Sequence, residues 1–126
     1  MPATKVIDIR ERAFEFSVRI VRLCKYLEKK TGVSRNLILQ LLDAATSVGA
    51  NLEEAKAGQS TADFIHKNAI ALKEAREANY WLRLILATED LGEQAGKGTE
   101  DLAGEALEIA RIIGKIIVVT KKGSKT

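Results

Sequence analysis

A single proline stands in this chain, Pro2, so nothing further along forces a break in a long helix. A single cysteine, Cys24, excludes an internal disulfide and suits a reducing compartment. A nucleophilic cysteine needs a base nearby. The only histidine, His66, sits beside Lys67 in a polar stretch, and nothing places it near Cys24. Cys24 stands instead among Ile20, Leu23 and Leu27 and reads as a small core residue. One histidine and one cysteine cannot close a zinc site. Neither GxGxxG nor GxxxxGK[ST] occurs, so no phosphate-cradling loop is predicted. No apolar run is long enough to span a bilayer. The opening MPATKVIDIRER lacks the apolar core of a signal peptide. These absences lead to the expectation of a cytoplasmic, non-enzymatic protein with no cofactor, no metal and no membrane partner.

What is present fits one domain over residues 1–126. The net charge of +3 hides an uneven spread. Residues 1–35 hold nine Lys/Arg against four Asp/Glu, and residues 36–120 hold eight against thirteen. Three lysines follow in the last six residues. The ends are basic and the middle is acidic.

Four amphipathic segments are visible, predicting helices over 8–30, 34–57, 61–88 and 99–121. Asp8 opens the first, with Glu11 as its capping-box partner. Its apolar stripe is Ile9, Ala13, Phe16, Ile20, Leu23 and Leu27, and Thr31-Gly32 ends it. Ser34 caps the second, whose stripe runs Leu37, Ile38, Leu41, Ala45, Val48, Leu52, Ala55, with Gly58 as its stop. Ser60 or Thr61 opens the third, with a core face of Phe64, Ile65, Leu72, Ala75, Leu82 and Leu86. EDLGEQAGKG, with three glycines in ten residues, reads as the one true loop. Thr99 would then cap the fourth, with the stripe Leu102, Ala106, Ile109, Ile113, Ile116 and Val119. Short connections make consecutive helices antiparallel neighbours, so an all-α, up-down-up-down four-helix bundle is predicted.

Two helices carry more apolar surface than one core needs. The first adds Phe14, Val18 and Val21, and the third adds Ile70, Trp81 and Leu84, which project away from the assigned core face. Such a second face predicts contact with another chain, hence a homo-oligomer. The carboxylates Glu53, Glu54, Glu74 and Glu77 alternate with Lys56, Lys73 and Arg76, which reads as solvated ion pairing, not acid–base machinery.

Ala44, Ala45 and Ser47, then Asn51 and Glu54, then Gly58, Ser60, Asp63 and Phe64 form an ordered motif. A second block, ALKEAREANYWLRLI, runs from Ala71 to Ile85. Together they resemble the family of four-helix-bundle proteins encoded in 23S rRNA intervening sequences. The chain departs from the family pattern at Asp43, where many members are basic, and at Glu53-Glu54-Ala55. The resemblance implies a homopentameric ring, no enzymatic activity, and kinship to the accessory protein of diversity-generating retroelements, a basic pentamer that works with nucleic acid.

Topology adds an expectation about charge. An up-down-up-down bundle gathers Lys5, Arg10 and Arg12 with Lys121, Lys122 and Lys125 at one end. Repeated around a ring, these would form a basic rim for RNA or DNA. The competing expectation is a protein-interaction scaffold that uses the acidic face of the second and third helices and has no nucleic-acid role.

Overall fold

The computed structural model describes residues 8–30, 32–57 and 60–123. Four helices account for nearly all of them: α1 (Ile9–Lys29), α2 (Arg35–Lys56), α3 (Thr61–Thr88) and α4 (Gly92–Gly123). No strand occurs among the described residues. Each helix packs on its neighbours in sequence, α1 also packs on α4, and the backbones of the diagonal pairs stay apart. That is a closed antiparallel four-helix bundle, as the periodicity predicted.

The helix starts follow from local chemistry. The first backbone N–H groups of a helix have no partner within it, and a short polar side chain can accept one. Asp8 accepts from Arg10 N at 2.8 Å, Ser34 from Leu37 N at 3.4 Å, and Ser60 from Asp63 N at 3.0 Å. Glu11 lies in the first turn of α1, where its charge suits the helix dipole. The α1–α2 connection passes through Gly32 at φ 96°, a conformation that favours glycine. Thr31 and Gly58, expected as helix stops, lie outside the described residues.

The expected loop before α4 is mostly helix. Only Glu89, Asp90 and Leu91 connect α3 to α4, and Gly92 begins the new helix at φ 80°. Asp90 Oδ1 accepts from Gly92 N at 3.2 Å. Leu91 and Thr99 are buried, and Ala95 packs against the core between them. The stripe Leu91, Ala95, Thr99, Leu102 thus extends the core face backwards by two turns. A Cβ at Gly96 or Gly98 would touch nothing, so these glycines cost only helix propensity, about 1 kcal/mol each against alanine. Core contact on the other face outweighs that cost. Thr99 is no cap: its hydroxyl donates to Ala95 O at 2.8 Å inside the helix.

The centre of α3 also differs from expectation. Phe64, Ile65, Leu72 and Leu86 are only half-buried, whereas Asn68, Ala71, Ala75, Ala78, Asn79, Leu82 and Ile85 are buried. Both neighbours of α3, α2 and α4, pack extensively on it, and its buried face holds three alanines and two asparagines. Large residues are pushed to its flanks. Asn79 stays satisfied by donating to Ala103 O of α4 at 2.8 Å while its own oxygen accepts from Arg83 Nε at 2.9 Å. On α4, Val119 is exposed, not a core residue. At 32 residues, α4 is about 48 Å long, well over the 21 residues of α1, so its final turns outrun the bundle.

Cys24 is buried in the core, and burial pushes its thiol up to about 11. Its thiolate population at pH 8 is therefore negligible. In the folded protein Cys24 should resist iodoacetamide at that pH and react at once in denaturant, as mass spectrometry would register.

Candidate functional site

No group of three His, Cys, Asp or Glu side chains among the described residues could hold a metal ion. No buried side-chain nitrogen or oxygen among them lacks a partner. Nor is any described helix long and apolar enough to cross a membrane. The candidate sites are surfaces, and three stand out.

The first is apolar. Phe14 is 63% exposed. Val18 and Val21 follow at i+4 and i+7 and are half-buried. Ser17 of α1 donates to Ala45 O of α2, and Ala13 lies beside Gly49, so this flank of α1 faces α2. Ile70, Trp81 and Leu84 are half-buried as well, not fully exposed as their spacing suggested. They occupy the flank of α3 on its α2 side, as the Lys67–Glu54 ion pair shows. Trp81 leans on the core, its indole N–H donates to Glu77 Oε1 at 3.3 Å, and its ring meets Tyr80 edge-on at 5.1 Å. The two apolar sets therefore bracket α2, on which Leu39 is itself exposed.

The second surface is acidic and lies along the same α2–α3 edge. Burial holds the Glu74 carboxyl above its ordinary range, and the charges of Glu77 and Asp43 add to that rise against Lys73. A carboxyl whose folded-state value is raised favours the fold while protonated and loses that contribution as pH climbs through the raised value. Glu74→Gln should therefore raise the melting temperature at pH 7 and leave it unchanged near pH 3.5, as a scan at both pH values would measure.

The third surface is the predicted basic rim, of which the structure describes Arg10, Arg12, Lys121 and Lys122. Lys5 and Lys125 lie outside the described residues. Arg10 is paired with Asp8 at 2.8 Å and lies 3.7 Å from Glu53. Arg12 makes a two-bonded clasp with Glu105 of α4, at 2.6 and 2.8 Å. Both arginines are thus committed to carboxylates of the bundle itself. Lys121 and Lys122 are exposed in the last turn of α4. The stronger concentration of positive charge is elsewhere, on the second half of α1: Arg19, Arg22, Lys25, Lys29 and Lys30. The excess of cations over residues 1–35 signals it, since five of those nine cations lie between Arg19 and Lys30.

The family described as 23S rRNA-intervening sequence protein matches over residues 5–115. A solved structure also matches: a protein of unknown function from the S23 ribosomal protein family of Bacteroides thetaiotaomicron VPI-5482. It is 39% identical and superposes with a TM-score of 0.79, over 87% of this chain and 98% of that one. No curated protein matches.

Proposed function

From the premise that the chain belongs to the 23S rRNA-intervening sequence protein family, we propose that it is a non-enzymatic, cytoplasmic four-helix bundle that works by self-association. The observation that carries this is the apolar band around α2. Isolated exposed apolar residues are ordinary, but a phenylalanine 63% exposed in register with two valines is a contiguous patch. Ile70, Trp81 and Leu84 extend the band on the far side of α2. Covering it with a second copy would bury apolar area without disturbing the core beneath. The family resemblance sets the expected assembly at five copies.

Light scattering at micromolar concentration tests the proposal. The expected mass is a multiple of 13.8 kDa, and five times that figure would favour the ring. Phe14→Glu is the better probe, because Phe14 contributes little to the core of one chain whereas Trp81 packs against it. The variant should run as a 13.8 kDa monomer with unchanged helix content. A parent protein of 13.8 kDa would defeat self-association.

Binding of RNA or DNA at the terminal rim is less well supported, because Arg10 and Arg12 already face carboxylates. The acidic edge of Asp43, Glu74 and Glu77 favours the other reading, a scaffold for a partner protein.

A further inference from the structure

Between Phe16 and Asn36 the chain carries six cations, Arg19, Arg22, Lys25, Lys29, Lys30 and Arg35, against one carboxylate, Glu28. Five of the six cations are on α1 or its cap. At 100° per residue, Arg19, Arg22, Lys25, Lys29 and Lys30 fall within an arc of about 140° on the side away from the core. Along the axis they extend over about 17 Å, with a charge every three or four residues. None of them makes an ion pair among the described residues. Lys29 and Lys30 have a structural reason for their place, since cations stabilise a helix C-terminus. Arg19, Arg22 and Lys25 lie away from the helix end, where no terminal dipole favours them, and like charges on one face repel.

Two further features lie on the same face. Tyr26 is 45% exposed in the midst of the cations. Beside it runs a groove of about 670 Å³ between α1 and the start of α4. Arg19, Arg22 and Tyr26 form one wall, Gly92, Gln94 and Gly98 belong to the other, and Leu23, Leu91, Ala95 and Leu102 supply its apolar part. Glu93 also lines the groove from α4, and Glu15 precedes the track on α1.

We propose that this face binds single-stranded nucleic acid. The phosphates follow Arg19, Arg22, Lys25 and Lys29, and one base enters the α1–α4 groove against Tyr26. The spacing of the cations along the helix is of the order of the distance between successive phosphates on a strand. An aromatic ring amid a positive track is the arrangement on which unpaired bases stack. An unpaired base can turn into a lateral groove, whereas a stacked duplex keeps its bases inside. The face lies at the end of the bundle opposite the predicted terminal rim, and Val18 of the apolar set borders it on α1.

The test is fluorescence anisotropy with a labelled oligouridine of about 16 nucleotides. The parent protein should bind at about 50 mM salt and weaken steeply as salt rises. Arg19→Ala/Arg22→Ala/Lys29→Ala should lose at least about tenfold in affinity. Its plot of log affinity against log salt should flatten by roughly 2, at ~0.7 per lost phosphate contact. Tyr26→Ala should lose about tenfold with the salt slope unchanged, the mark of lost stacking. Lys121→Ala/Lys122→Ala should bind as the parent does. Circular dichroism and light scattering on the same samples confirm that fold and assembly are kept. No binding by the parent, or unchanged binding by the triple variant, would overturn the proposal. So would equal binding of duplex, of phosphatidylserine vesicles or of polyglutamate with Tyr26 making no difference, which would identify an unspecific anion-attracting face.

Discussion

Phe16→Ala should destabilise the bundle by about 3–5 kcal/mol, the range for removing a fully buried aromatic ring. Phe16 is 1% exposed and is the largest fully buried side chain. Its loss opens a cavity in a close-packed core that also holds Ile20, Leu41, Val48 and Ile109, and neighbouring side chains cannot fill it without rotamer strain. A domain of this size has a total stability of about 5–15 kcal/mol, so the variant would be left near the edge of folding at 37 °C. The melting temperature should drop by roughly 10–20 °C. Phe16→Leu, which keeps most of the volume, should lose less than half as much. Equal losses for the two variants would mean that the site is not tightly packed.

Ala75→Leu should cost about 1–3 kcal/mol, by the opposite mechanism. Ala71, Ala75 and Ala78 are all 0% exposed on α3, which packs extensively on both α2 and α4. Three added carbons at Ala75 have no space to enter, so either helix spacing or neighbouring rotamers must give. Ala75→Gly separates this steric cost from helix propensity, because it should lose about 1 kcal/mol without any overpacking. Alanine at Ala69, exposed on the same helix, offers the control: Ala69→Leu should be neutral within about 0.5 kcal/mol in a denaturant titration. A neutral Ala75→Leu would show that the seam is slack.

The chain declares its helix starts plainly. Asp8, Ser34 and Ser60 act through N–H groups only two or three residues away, and such local chemistry can be read without knowing the fold. The start of α4 could not be read so directly. Gly92, Gly96 and Gly98 locally argue for a loop, and the stripe Leu91, Ala95, Thr99, Leu102 that overrides them includes an alanine and a threonine. The face of α3 was obscured for a related reason. Phe64, Ile65 and Leu72 carry the strongest hydrophobic signal, but a helix gripped from two sides puts its smallest residues at the point of grip. Surface sites were the least legible. The apolar residues Phe14, Val18 and Val21 could be picked out by spacing, and their place beside α2 could not. Arg10 and Arg12 count as positive charge in any tally, yet Glu53 and Glu105 come from distant parts of the chain to meet them. Arg19, Arg22 and Lys25, by contrast, form no ion pair among the described residues, which only the fold shows.

The helices are not held equally. α3 packs extensively on both its neighbours, while α1 packs less closely on α2 and least on α4. The α1–α4 junction is also the only one joining the two ends of the sequence, so it carries the greatest loop-closure entropy. Folding should therefore proceed from a local hairpin of α2, α3 and α4, with α1 arriving last and the Arg12–Glu105 clasp closing the ring of helices. In native-state hydrogen exchange the amides of α1 should open as one unit below the global unfolding free energy, while those around Ala75 and Leu82 should exchange only when the whole chain unfolds. The helix that bears both Phe14 and the Arg19–Lys30 track is then the one whose order a second copy or a bound strand would most increase.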